Sequence, residues 1–219
     1  MKKSIIIDFD HTIGYFPQII FLINIIETIY ENTIPNSHLH MLFQSFPLIF
    51  RPKLLEIIKL ILFLQKNDKL LLFILYTCNN KPHFIEMVVS FLKKQLNQDV
   101  IFQYILFEKT KHKNMNTLIK EIKEIEAYEL CFIDNKTYHY NNNNTKYISC
   151  EKYIHHYEID TILEIFPYTT FEKINKSILI SYLEAQNNKS QRKRRYILPY
   201  SLYEMNSSFI YQSIHDFVS

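Results

Sequence analysis

The chain has 219 residues, 47% of them hydrophobic and 15% aromatic, with 25 Lys+Arg set against 22 Asp+Glu. That length and apolar content suit one sizeable core, or a core with an appendage, and exclude disorder along the whole chain. A net charge of +3 is too small to argue for any partner, and the single glycine, the missing tryptophan and the abundance of Ile, Lys, Asn, Tyr and Phe follow AT-rich codon usage.

In chain order, the start MKKSIIIDFD meets Asp8 and Asp10 too soon for the core of a signal peptide. The apolar run Ile5 to Ile7 leads into Asp8, and residues 15 to 50 then form an insertion with apolar helical stretches over Ile19 to Tyr30 and His38 to Phe46, read as a small cap. The most membrane-like stretch, 15 to 30, is interrupted by Gln18, Asn24 and Glu27, and no run of about 20 apolar residues exists, so no membrane span is expected. A helix is predicted from Pro52 through Leu54, Ile57, Ile58 and Ile61 to Leu64.

A second apolar run, Leu70 to Tyr76, leads into Thr77. It is followed by a helix with Pro82 near its start and Phe84, Met87, Val88, Phe91 and Leu92 on one face. Val100 to Leu106 is a further strand candidate. Met115, Leu118, Ile119, Ile122 and Ile125 mark one more helix, and Leu130 to Ile133 runs into Asp134. Short one-note apolar runs suit strands buried on both faces of a parallel sheet. Their alternation with helices predicts an α/β doubly wound, Rossmann-like parallel sheet with helices on both faces, spanning 1 to 165.

Residues 166 to 219 form an expected helical and basic C-terminal extension. Thr169 and Glu172 have the spacing of a capping box for a helix reaching Ala185, followed by a basic polar stretch and an aromatic tail. The run Asn141 to Asn144 reads as a surface turn, and there is no internal repeat. The three cysteines, Cys78, Cys131 and Cys150, make neither a disulfide framework nor a zinc knuckle, which points to an intracellular setting, cytoplasmic or nuclear.

The feature that carries chemistry is Asp8-Phe9-Asp10-His11-Thr12-Ile13-Gly14, directly after the first strand. Two carboxylates at i and i+2 point to one side, while Phe9 between them turns to the core. Gly14 is expected to turn the chain out of the site with positive φ. A calcium loop is excluded, because Ile13 stands where that loop needs glycine and no Glu follows at the required position. His38-x-His40 and His155-His156 lack Cys or carboxylate partners in sequence and are read as packing or surface residues.

IIIDFDHTIG resembles motif I of the haloacid-dehalogenase superfamily of phosphotransferases. LLLFILYTCNN resembles motif II, with Thr77, and CFIDNK resembles motif IV, with Asp134 and Asn135. Lys113 is the best-placed lysine for the motif between them, with Lys109 and Lys111 as alternates. Within that superfamily the chain is similar to the small C-terminal-domain (NLI-interacting-factor-like) phosphatases, through Arg51-Pro52 at a helix start, the turn Thr77 to Lys81, and Asp-Asn in motif IV. It departs from them at His11, where Glu or Gln is usual, at Cys78-Asn79, in the distance from Lys113 to Asp134, and in lacking a recognisable β-rich insertion within 15 to 50.

The resemblance implies a phosphomonoester phosphatase that works through an aspartyl-phosphate. Asp8 would be the nucleophile and Asp10 the general acid and base. Magnesium would be held by Asp8, Asp10 and Asp134 or Asn135, and the phosphoryl group by Thr12, Thr77, Cys78, Asn79 and Lys113. Its implied substrate is phosphoserine or phosphothreonine in protein. The alternatives are a nucleotide or nucleic-acid-end phosphatase, or a catalytically quiet binding module of the same fold. The run 189 to 195, KSQRKRR, would serve as a nuclear signal or a contact to nucleic acid or an acidic partner, and equally reads as a solvated linker.

Overall fold

The computed structural model describes residues 2–110, 112–136, 144–190 and 197–219, and for 186–190 the backbone alone. Its order is β1 (Lys3–Ile7), α1 (Pro17–Tyr30), α2 (Asn36–Ser45), α3 (Leu54–Lys66), β2 (Leu72–Thr77), α4 (Pro82–Leu96), β3 (Tyr104–Phe107), α5 (Met115–Glu121), β4 (Glu129–Asp134), β5 (Thr145–Ser149), α6 (Ile159–Ile165), α7 (Lys176–Ser190) and α8 (Tyr200–Val218). The five strands form one parallel sheet in the order β3-β2-β1-β4-β5, an α/β doubly wound arrangement.

The central strands are buried from both sides, as their one-note sequences require: Ile5, Ile6 and Ile7 of β1 and Phe73 to Tyr76 of β2 are almost fully hidden from solvent. Ile6, Ile74, Tyr76, Leu130 and Phe132 face Leu118, Ile122 and Ile125 of the α5 region on one side. Because β1→β2→β3 winds outward one way and β4→β5 the other, right-handed crossovers send α3 and α4 to the opposite face.

The chain divides into two compact units. One comprises 1–15, 50–153 and 199–219, and the other 16–49 and 154–198. This differs from a boundary near residue 165, because α8 belongs with the sheet, where it packs on α3. The second unit holds α1, α2, α6 and α7, with no strand between 15 and 50. Its core joins the two stretches through aromatic edges, Phe46 on Tyr157 at 5.2 Å and Tyr30 on Phe171 at 6.4 Å, and Phe166 packs beside Phe171 at 5.5 Å within the second stretch. No described helix is long and apolar enough to cross a membrane.

Local chemistry explains where the elements depart from expectation. Lys53 takes a left-handed conformation, so α3 starts at Leu54 and Arg51-Pro52 stays in the preceding turn. Ile122 leaves the helical region at φ −131°, so the expected single helix splits into α5 and a 3-10 turn over Lys123–Ala127. The Thr169/Glu172 capping box is not used. The chain turns at 167–174 instead, burying Phe171, and α7 is capped by Asn175, whose Oδ1 accepts from the Ile178 N–H at 3.0 Å. Asn175→Ala is therefore expected to cost about 1 kcal/mol in denaturant titrations, and Thr169→Ala about 0.5 kcal/mol at most. The helical extension expected over 166–219 consists of α7 and α8, and strand β5 lies outside the expected apolar runs. The Asn141–Asn143 part of the expected turn and the side chains of the basic run 189–195 lie outside the described residues.

Candidate functional site

In a doubly wound sheet the ligand crevice opens at the carboxyl ends of the two adjacent strands from which the chain winds in opposite directions. Here those strands are β1 and β4. Asp8 follows β1, its N–H bonded to the Ile133 carbonyl at 3.0 Å, and Asp134 ends β4. Between them the Lys113 ammonium donates to Asp8 Oδ1 at 2.6 Å and to Asp134 Oδ2. Lys113 is 5% exposed, so the ammonium and two carboxylates form a buried charged triad. Burial raises the Asp8 carboxyl to about 6 against the opposing attraction of Lys113. Of the other lysine candidates, Lys109 is exposed and Lys111 lies outside the described residues.

Lys113 is aimed by the turn that precedes α5. Asn114 caps that helix, its side chain accepting from the Asn116 N–H at 2.9 Å. Its own N–H donates to the Tyr76 hydroxyl at 2.9 Å, and that hydroxyl lies 2.6 Å from Glu108 Oε2. Tyr76 thus ties the ends of β2 and β3 to the start of α5, with the Lys113 ammonium 5.8 Å above its ring. Nothing in the sequence flags this tyrosine, which sits inside an apolar strand. Tyr76→Phe leaves Glu108 and the Asn114 N–H short of a partner, and about 1–2 kcal/mol of stability is expected to be lost, measurable by denaturant titration.

Thr77 is fully buried, and its Oγ1 accepts from the Asn79 N–H at 3.0 Å. Asn79 in turn donates from Nδ2 to both Asp10 carboxylate oxygens at 3.0 Å, and its Oδ1 accepts from the Lys81 N–H at 2.9 Å. Burial raises the Asp10 carboxyl, opposed by the Asn79 bond and the charges of Lys113 and Lys136. Asn135 Nδ2 donates to the Asp10 carbonyl at 3.0 Å, so the backbone and side chain of Asp10 are both held by amides. Cys78 is half-buried at the same edge, and burial pushes its thiol up, which keeps it a weak nucleophile at neutral pH.

The loop after β1 corrects one expectation. Gly14 does not have positive φ; His11 does, at 65°. Gly14 instead allows close backbone approach: its carbonyl accepts from the His11 N–H at 2.7 Å, and it bridges to Asp10 and Phe50. His11 stacks on Tyr15 at 5.2 Å, with Nδ1 at 2.8 Å from the Tyr153 carbonyl. Phe9 is fully buried and packs edge-on to Phe84 at 6.2 Å. The Thr12 hydroxyl is buried, 3.4 Å from Asp8 Oδ2 and 3.6 Å from Cys150 Sγ.

This edge carries hard oxygen donors in the Asp8 and Asp134 carboxylates, the Asp10 carbonyl and the side-chain amide of Asn135, whose Nδ2 faces that carbonyl. Asp8 Oδ2 accepts a bond from Thr12 that is longer than the usual range. That donor chemistry suits magnesium. Among the described residues no group of three or more His, Cys, Asp or Glu side chains is arranged to hold a metal ion, and the cation between Asp8 and Asp134 is the Lys113 ammonium. Comparison with known proteins returns no matching family model and no matching curated protein.

Proposed function

We propose that the chain is a magnesium-dependent phosphomonoester phosphatase of the haloacid-dehalogenase type, acting through an aspartyl-phosphate on Asp8. The observation that carries this reading is the convergence of Asp8, Lys113 and Asp134, with Asp10 and Thr77, at the switch point of a parallel sheet. Magnesium held by Asp8, Asp10 and Asp134 or Asn135 would supply charge neutralisation for the phosphoryl group.

The residues divide the work as follows. Asp8 attacks phosphorus in line and forms the P–O bond as the bond to the leaving oxygen breaks. Lys113 holds Asp8 in position and offsets charge on the transferring oxygens. Asp10, oriented by Asn79, gives a proton to the leaving oxygen and then takes one from the water that cleaves the acyl-phosphate. Thr77, Cys78 and Asn79 of the motif II turn would hold the phosphoryl group, and Thr12, expected beside them, is buried with its hydroxyl on Asp8.

Phosphoserine or phosphothreonine in protein is the substrate class that the resemblance favours, and an intracellular setting follows from the cysteine usage. The alternatives are a nucleotide or nucleic-acid-end phosphatase and a catalytically quiet binding module. The closed ion triad favours the quiet module, since it satisfies its own charges without a ligand. Phosphate release from para-nitrophenyl phosphate, a phosphoserine peptide and a 5′-phosphorylated oligonucleotide, with and without magnesium, tests the reading. Magnesium-dependent turnover is the expected result, and its absence on all three substrates with folded protein overturns it.

A further inference from the structure

Arg51 is 3% exposed, and its donors go to backbone carbonyls and one side-chain amide. Nε donates to the Thr12 carbonyl at 2.7 Å, and one terminal nitrogen reaches the His11 carbonyl at 2.8 Å and the Glu151 carbonyl at 2.5 Å. The other terminal nitrogen donates to Asn206 Oδ1 of α8 at 2.9 Å. Its backbone N–H bonds the Ile13 carbonyl at 2.9 Å, and its guanidinium lies 5.7 Å over the Tyr153 ring.

The His11, Thr12 and Ile13 carbonyls belong to the loop after β1, which carries a left-handed non-glycine residue at His11, and the Glu151 carbonyl belongs to the chain beyond β5; of these the His11 carbonyl also accepts the Tyr153 N–H at 3.0 Å. A planar fork of five donors reaches three carbonyls and the Asn206 amide oxygen at once, four acceptors against the three donors of an ammonium. Asn206 orients that fork, and the same oxygen also accepts the Glu151 N–H at 3.1 Å.

From this geometry we infer that Arg51 and Asn206 form a clamp through which the C-terminal helix α8 sets the conformation of the Asp10–Thr12 loop. Both are then positioning residues for the reaction proposed above, on which that role rests. Neither touches the reacting atoms. The clamp acts by fixing where the Asp10 carboxylate and carbonyl point, and it makes residues 199–219 part of the sheet unit's functional edge.

The test compares wild type, Asn206→Asp and Asn206→Leu in the full chain. Asp keeps an oxygen that accepts from both Arg51 and Glu151, whereas Leu keeps the branched four-atom shape and loses the acceptor. In Asn206→Leu, hydrogen exchange at the His11 and Ile13 amides is expected to accelerate about tenfold or more, while amides of β1 and β2 keep their rates. Asn206→Asp is expected to match wild type. Turnover of para-nitrophenyl phosphate should follow the same order, with kcat falling and KM unchanged in the Leu variant. Equal exchange in all three proteins, or equal acceleration across the sheet, overturns the clamp. Failure of the wild type to turn over substrate overturns the phosphatase reading instead, and the exchange data still decide the clamp.

Discussion

Replacing Asp8 with asparagine is expected to reduce magnesium-dependent turnover by about a thousandfold or more, on the order of 4 kcal/mol of barrier. The amide is nearly isosteric, but it cannot attack phosphorus to form an acyl-phosphate. Folding should survive, because the oxygen of the introduced amide can still accept from Lys113, and Phe9 beside it keeps its buried site. Initial rates on para-nitrophenyl phosphate, with thermal melting of both proteins as the control, make the measurement. A variant that retains the wild-type rate would remove Asp8 as the nucleophile. The binding-module reading expects no turnover in either protein, so the wild-type rate separates the two.

The second large effect is on stability. Lys113→Met keeps most of the side-chain stem but leaves Asp8 and Asp134 facing each other without the ammonium that now bonds both. Breaking a buried ion pair by removing one partner typically costs about 3–5 kcal/mol, because the remaining charge is uncompensated. The loss should shrink as pH falls. Asp8 in the folded wild type already titrates above its ordinary value, and loss of the opposing Lys113 charge raises it further. A carboxyl whose folded value is raised stabilises the fold below its unfolded value and loses that contribution as pH rises through the folded one. Denaturant titrations at pH 5 and pH 7 should therefore show the larger deficit at pH 7. Lys113→Met with Asp134→Asn should recover part of it, since one buried charge is then removed. A single variant as stable as wild type at pH 7 would show that the triad is hydrated enough to need no ammonium.

Much of the sheet could be read because its strands are buried on both faces, which leaves short apolar runs ending in Asp8, Thr77 and Asp134. Strand β5 leaves no such run because it lies at the edge: of Thr145 to Ser149 only Ile148 is buried. Helix α8 carried a legible signal, with Tyr203, Ser207, Ile210, Ile214 and Phe217 at helical spacing, but the aromatic residues around that stripe hid its period. The Thr169/Glu172 box failed because burial of Phe166 and Phe171 outweighed a capping preference worth about 1 kcal/mol.

What the sequence determined by itself is the alternation of strand and helix and the placement of the two carboxylates immediately after an apolar strand, since period and burial are local properties of the chain. What only the tertiary structure decided is which distant groups meet there. Lys113 comes to Asp8 through the Tyr76 hydroxyl and the Asn114 cap, Arg51 to the His11–Thr12 carbonyls, and Asn206 of α8 to Arg51. Each is a contact between residues about 40 to more than 150 positions apart, made by buried polar groups that had to find partners once water was excluded. No local pattern records such a choice.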